Sequence, residues 1–367
     1  MAGREIDLQG GARAWLAGPV QGSGPGLVLC HDGAAGMREL ADRLGEEGYV
    51  VVAAGAEEGN CPARIESMRG ALRARPDCKG RTGVLAFGRC AVAALQAAGQ
   101  GDFDCAIAYC GPETATVLDA VRNIRVPVVL HWAGERRIES EPSELVEAYA
   151  YPGVKAGFAV PDSPHHDKQA SAMAYSRTLA LLRKVLGPHY DLSSLWEAHR
   201  ACEFVTRDPD ATMRTMVDEP YVNHIPTMTG GVGHDDLKRF YKYHFIPTTP
   251  ADTKLVPISR TIGEGILVDE MLFCFTHDIE IDWMLPGVKP TGKYVEIPLV
   301  AIVKFRGDKL YNEHIYWDQA SVLVQIGLLK AEGLPVAGVE TANKLVDEKL
   351  PSNTLMKRWS ESAGKPI

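Results

Sequence analysis

The chain has 367 residues, 46% of them hydrophobic and 23% charged, with a formal net charge of −8. That length exceeds what one hydrophobic core usually holds, so two domains are expected. The acidic balance, with no basic stripe, excludes a nucleic-acid footprint, and no run of 18 apolar residues offers a membrane span.

The N-terminal stretch "MAGREIDLQGGARAWLAGPV" is interrupted by acids and polar breaks where a signal peptide needs an apolar core, which predicts a cytoplasmic protein. Eight cysteines (Cys30, Cys61, Cys78, Cys90, Cys105, Cys110, Cys202, Cys274) are scattered with no CxxC pair, which is neither a disulfide framework nor a zinc knuckle. They are expected to be small buried hydrophobes, with Cys90 set apart by its local context.

The first half alternates. "GLVLCHD" (26–32) reads as a buried strand running into a polar loop. "MRELADRLGEEG" (37–48) places Met37, Leu40, Ala41 and Leu44 at the helical period, with Gly48 as the stop. Strands follow at 49–55, 83–88, 103–111 and 126–135, with helices after 88 and around 116–122, and a long helix over 169–187. Continuous apolar strands between amphipathic helices imply a parallel sheet covered on both faces, whose chemistry lies at the carboxyl ends of the strands. Asp32, Cys90 and Glu135 fall at such ends.

"GPHYD" (187–191) breaks the pattern, and a helix is expected over 192–208. From about 253 the chain becomes rich in long strands, with turns at 286–292 and 306–308 and a helix at 321–329. This predicts an α+β second domain, a curved antiparallel sheet closing over a cavity. A helix over 339–349 and a polar tail complete the chain.

Two candidate sites follow. In "LAFGRCAVAAL" (85–95) a strand enters Gly88-Arg89-Cys90-Ala91-Val92, a strand–turn–helix that presents Cys90 as a nucleophile. A helix N-terminus and Arg89 would favour its thiolate. In the second half, strand 310–318 puts His314, Tyr316 and Asp318 on one face and Glu313, Ile315 and Trp317 on the other. Asp318 in an apolar cavity would have a raised pKa suited to proton transfer; its bland role is to cap the following helix. "CFTHDIEIDWML" adds His277, Asp278 and Asp282, "YVNHIPTMTGG" adds Tyr221 and His224, and Arg260 could pair with an acid or hold a substrate carboxylate. His277, Asp278, Asp282, His314 and Asp318 fit no metal-binding spacing, so neither metal nor cofactor is expected.

Residues 1–187 resemble the dienelactone hydrolase family of α/β-hydrolases. The resemblance is carried by "GLVLCHDGAAGMRELADRLGEEGYVVVAAG", "LAFGRCAVAAL", "PVVLHWAGE", "YPGVKAGFAVPDSPHHD" and "AMAYSRTLALLRKVL". It implies a Cys-His-Asp triad, with Cys90 as nucleophile and Asp32 as the acid beside it. Ala156 stands at the histidine position and Arg136 at the aspartate position, with Glu135 one place earlier and His165 and His166 nine or ten residues on, so the triad is expected to be degenerate. Val92 replaces a second expected glycine. Residues 190–335 resemble SnoaL-like members of the NTF2-like superfamily through "VNHIPTMTGGVGHDDLKRFY" and "THDIEIDWMLPGVKPTGKYVEIPLVAIVKFRGDKLYNEHIYWDQASVLVQIGLL". That resemblance implies acid/base chemistry in a cone, with Asp318 as main acid/base, His314 and His277 beside it, and Tyr221, His224, Arg260, Asp282 and Trp317 around the substrate. It also implies a homodimer through the outer sheet face as an assembly to test. The strand "PLVAIVKF" lacks the histidine that SnoaL-like cyclases carry. The expected partner is a small oxygenated metabolite (lactone, ester or polyketide-like), and residues 336–367 are a C-terminal extension.

Overall fold

The structure is a computed structural model that describes residues 3–19, 22–32, 36–57, 59–112, 116–135 and 144–367. It is a mixed α/β architecture with one largely parallel and one largely antiparallel sheet, in two compact units, Met1–Tyr190 and Asp191–Ile367. Among the described residues no helix is long and apolar enough to cross a membrane.

The first unit holds eight strands: β1 (Arg4–Asp7), β2 (Arg13–Ala17), β3 (Gly24–His31), β4 (Val50–Gly55), β5 (Cys78–Phe87), β6 (Cys105–Cys110), β7 (Val128–Ala133) and β8 (Val146–Tyr151). Their spatial order is β1-β2-β4-β3-β5-β6-β7-β8, parallel from β4 to β8. Helices α1 (Met37–Glu46), α2 (Cys61–Arg73), α3 (Cys90–Gly99), α4 (Val117–Val121) and α5 (Lys168–Leu186) connect and cover them. Alternate strand residues serve opposite faces. Val28, Val52, Val84, Ala106 and Leu130 pack with Ile65 and Met68 of α2 and Ala94 and Leu95 of α3. Leu27, Leu29, Val51, Leu85 and Ile107 pack with Leu40 and Leu44 of α1 and Leu179 and Leu182 of α5. Burial on both faces is why these strands read as unbroken apolar runs. Strand order reverses between β3 and β5, so the loops after His31 and Phe87 frame the crevice where such sheets bind ligands. Sequence periodicity did not expose the β1–β2 hairpin, β8 or α2, whose apolar positions are sparser.

The second unit starts with α6 (Leu192–Arg200), which passes into a π-helical turn over Ala201–Val205 rather than continuing as one helix to 208. Next come α7 (Pro209–Arg214), β9 (Met216–His224), β10 (Thr229–Val232) and α8 (His234–Phe240), then a second π-helical turn over Tyr241–Phe245. Strands β11 (Lys254–Gly263), β12 (Ile266–Thr276), β13 (Tyr294–Arg306) and β14 (Lys309–Trp317) precede α9 (Gln319–Gln325) and α10 (Glu340–Val346). The sheet order is β10-β9-β14-β13-β12-β11, antiparallel except for the β9–β14 pair. Strand β13 alternates without a break: Val295, Ile297, Leu299, Ala301, Val303 and Phe305 are all buried, while the residues between them are more exposed. One face of this sheet is therefore the core face, and cross-strand register decides what else lies on it.

Candidate functional site

At the β3/β5 crevice Gly88 has a φ of 58°, and a Cβ there would sit 2.2 Å from Asp32 Oδ2. The close approach lets the backbone N–H of Arg89 donate to Asp32 Oδ2 at 2.9 Å, while Arg89 Nε lies 3.6 Å from the same oxygen. Asp32 thus stands beside the turn, bonded to Arg89 rather than to the Cys90 thiol it was expected to meet. The thiol of Cys90 points elsewhere. It is fully buried, 2.7 Å from Cys61 Sγ, and Cys30 also bonds it. Hydrogen bonding with Cys30 and burial push the Cys90 thiol far above its ordinary range, opposite to what a nucleophile needs. A cleft of about 340 Å³ opens at this place, lined by Asp32, Phe87, Gly88, Tyr109 and the 156–160 segment, and Cys90 is not among its lining residues. Ala156 is on that wall, His165 and His166 are exposed on a surface loop, Glu135 is exposed, and Arg136 lies outside the described residues.

In the second unit, register assembles a different constellation. Glu313 pairs with Val303 and Val222, Ile315 with Ala301 and His224, and Trp317 with Leu299. Val303, Ala301 and Leu299 are the buried row of β13, so Glu313, Ile315, Trp317, Val222 and His224 lie on the core face. His314 and Tyr316 are turned to the other face, where the His314 ring meets Tyr221 edge-on at 5.5 Å. The expected face of β14 is thereby exchanged for its opposite. Asp318, one residue past buried Trp317, is exposed and caps α9 by accepting from Ala320 N at 2.9 Å, so it is a cap rather than a group in an apolar interior.

The remaining expected residues divide in the same way. His277 is buried beyond β12, its Nδ1 3.1 Å from Thr291 Oγ1, and burial lowers its pKa. Asp282 is half-exposed and pairs with His244 Nδ1 at 3.0 Å. Arg260 is committed to its own chain: Nε and Nη2 grip Asp269 Oδ1 and Oδ2 at 3.0 and 2.8 Å, Nη1 donates to Ser193 Oγ at 2.7 Å, and Nη2 reaches Glu197 at 2.8 Å. Trp317 donates to Gln319 Oε1 at 2.6 Å, with its ring 5.6 Å from Trp283. Of the residues assigned a catalytic or substrate-binding role from sequence, His224 is the one that lines the interior cavity.

That cavity, about 40 Å³, is walled mainly by apolar and aromatic side chains, among them Val222, Phe245, Met271, Phe273, Leu299 and Ile315. Trp196, Arg200, Glu203, His224, Tyr241, Trp283 and Glu313 are the lining residues that carry polar groups. His224 is packed among Phe240, Phe245, Trp283 and Trp317, and its Nδ1 lies 3.2 Å from the carbonyl oxygen of Thr229. A carbonyl only accepts, so Nδ1 carries the proton and Nε2 a lone pair. Burial lowers the His224 pKa to about 4, which keeps the ring neutral at pH 7.

Behind Glu203 and Glu313 stands His199, on the α6 face four residues before Glu203. Its Nε2 is 3.2 Å from Glu203 Oε1, 3.1 Å from Glu313 Oε1 and 3.4 Å from the Tyr241 hydroxyl. All four side chains are buried. Burial would lower the His199 pKa, but Glu203 and Glu313 outweigh it and raise it to about 10; burial raises Glu203 and Tyr241. The π-helical turns at 201–205 and 241–245 carry Glu203 and Tyr241, a local irregularity often found at functional positions. Among the described residues His199, Glu203 and Glu313 form the group whose ligand atoms, all within 4.8 Å of one another, could hold a metal ion. Sequence reasoning passed over His199 and Glu203, although "HRACE" carries the i,i+4 spacing that brings such a pair together.

No protein-family model matches the chain, and no curated protein matches it in sequence. Among solved structures it is similar to a candidate dienelactone hydrolase from Klebsiella pneumoniae subsp. pneumoniae, 15% identical over 50% of this chain and 98% of that one, at a TM-score of 0.41. It is also similar to a candidate SnoaL-like polyketide cyclase from Jannaschia, at 14% identity over 39% and 99% and a TM-score of 0.30. An NTF2-like protein of unknown function from Burkholderia pseudomallei is similar at 18% identity over 37% and 96%, with a TM-score of 0.29.

Proposed function

We propose that the second unit is an NTF2-like cone whose cavity holds the chemistry, and that the protein is an enzyme that moves a proton on a small, partly apolar oxygenated metabolite. The reaction classes this covers are lactone or ester hydrolysis, cyclisation and isomerisation next to a carbonyl. The observation that carries the reading is the convergence of His224, Tyr241, Glu203 and Glu313 on a cavity whose other walls are mainly apolar and aromatic. His224 Nε2, neutral and unprotonated, is the acceptor for a substrate proton, and the Tyr241 hydroxyl is the donor for the oxygen on which charge develops. Apolar walls exclude water and strengthen both interactions.

The first unit, in this reading, is a dienelactone-hydrolase-like domain without its triad. Its thiol is turned to Cys61 and Cys30, and Ala156 brings no imidazole to the cleft. The roughly 340 Å³ cleft beside Asp32 supports a second reading for that unit, ligand binding without turnover.

The test is deuterium wash-in, followed by NMR, on a panel of small lactones, esters and α-substituted ketones. Wild type exchanges a proton or converts a member of the panel, and His224→Asn lowers that rate by about 100-fold or more, the scale of a lost general base. Tyr241→Phe lowers it as well, while Cys90→Ala leaves it unchanged. Turnover that survives His224→Asn and disappears in Cys90→Ala overturns the proposal.

A further inference from the structure

We propose that His199 Nε2, Glu203 and Glu313 bind a divalent first-row transition-metal ion, of the Zn²⁺, Fe²⁺ or Mn²⁺ class, at the wall of the second unit's cavity. This rests on the reading of that cavity as the reactive site and gives it an electrophile.

Four observations support it. First, Nε2 lies 3.2 and 3.1 Å from one oxygen of each carboxylate. Ligands held at roughly 2.1 Å from a common ion in adjacent positions stand about 3.0–3.5 Å apart, so the present spacing needs little adjustment. Second, the ring is held in the right orientation. Thr215 Oγ1 donates to Thr212 O at 2.6 Å, so toward His199 Nδ1, also at 2.6 Å, it can only accept. Nδ1 therefore bears a ring proton, and Nε2 is the nitrogen that faces the two glutamates, where an ion would take the place of its proton; a ligating histidine is commonly held by such a bond from its other nitrogen. Third, two carboxylates and an imidazole gather in an apolar interior, and a divalent ion would balance the −2 of both carboxylates when ionised. Two ionised carboxylates in such a place are costly away from water unless cations neutralise them. Fourth, Glu313 Oε1 is buried with no well-formed hydrogen bond, 3.1 Å from Nε2.

The remaining coordination is provided for. Glu203 and Glu313 face the cavity of about 40 Å³, room for a water-sized ligand on the open side of the ion. Three protein ligands with an open position are the pattern of catalytic rather than structural sites. One imidazole with two carboxylates favours Zn²⁺, Fe²⁺ or Mn²⁺ over Ca²⁺ and Mg²⁺, which prefer oxygen alone, and over Cu⁺, which prefers thiolate.

The experiment uses the full chain, stripped with EDTA, and measures Zn²⁺ and Co²⁺ uptake by equilibrium dialysis with elemental analysis. One ion per chain is expected, and Co²⁺ gives the visible d–d bands of a nitrogen–oxygen site without thiolate charge-transfer bands. Glu313→Gln, nearly isosteric and checked for folding by circular dichroism, loses at least about 10-fold in affinity. Absence of stoichiometric binding overturns the proposal, as do thiolate charge-transfer bands or wild-type affinity in Glu313→Gln. Undiminished turnover in the ion-free chain also overturns it and leaves the reading of the cavity standing. A bound ion with these properties and no turnover supports the site and counts against that reading instead.

Discussion

Replacing Arg260 by methionine separates a structural arginine from a substrate-binding one. Arg260 holds both oxygens of Asp269, whose carboxylate is 1% exposed, while the guanidinium is 20% exposed. Removing one partner of a fully buried ion pair costs about 3–5 kcal/mol. Here Asp269 retains Arg200 Nη1 at 3.3 Å and Trp196 Nε1 at 2.8 Å, and water screens part of the Arg260 charge, which brings the cost to about 2–3 kcal/mol. For a unit of this size that corresponds to a fall in melting temperature of roughly 5–10 °C. Urea unfolding of the full chain, followed by tryptophan fluorescence, measures it. In an Asp269→Asn background the same Arg260→Met change costs less than about 1 kcal/mol, because the interaction has already been weakened. The reasoning is refuted if Arg260→Met costs less than about 1 kcal/mol alone while raising KM for a substrate, since the arginine would then be spending its charge on the ligand.

Buried neutral histidines set a pH dependence. Burial lowers His224 to about 4, His31 to about 4 and His131 to about 3, all below the unfolded value near 6.5. At these three sites the unfolded chain therefore binds more protons below pH 6.5, so their contribution to stability is full above that pH and falls as pH drops toward the folded values, by about 3 kcal/mol for His224 alone at the limit. Urea midpoints between pH 7.5 and 5 check this; a flat profile, or one that His224→Gln leaves as steep, counts against it. Cys90 is expected to escape alkylation by iodoacetamide in the native chain at pH 7.5 while half-buried Cys202 reacts, and peptide mass spectrometry reads both sites. Labelling of Cys90 ahead of Cys202 would restore it as a nucleophile. Asp318→Ala removes a helix cap and costs about 1 kcal/mol with turnover retained, whereas a loss of turnover without loss of stability would return Asp318 to the active site.

The apolar runs of the first unit were legible because burial on both faces leaves no polar position inside a strand, and Gly88 marked its turn because no side chain fits against Asp32. The direction of the Cys90 side chain was not legible. "GRCAV" specifies strand, turn and helix, but what the thiol meets depends on Cys61 and Cys30, which are 29 and 60 positions away in sequence. The same limit decided the site in the second unit. In "KLYNEHIYW" a period of two separates two faces without saying which one is inside, and the choice of His314, Tyr316 and Asp318 followed the residues with the more familiar chemistry.

The inward face could have been chosen on burial instead. Ile315 and Trp317 are the residues of that strand with most to gain from leaving water, and the register confirms them opposite Ala301 and Leu299. Accepting that face forces Glu313 inside with them, and a carboxylate carried into a core requires partners. The partners had to come from elsewhere in the chain, and "HRACE" at 199–203 offers an imidazole and a second carboxylate on one helical face. The polar residue that fits its surroundings worst on strand β14 is thus the one that leads to the buried cluster, and the better-looking acid four residues after His314 fails because Trp317 has already taken the last inward position before the helix. A mismatch between a residue and its face was the stronger signal here than a match between a residue and a known role.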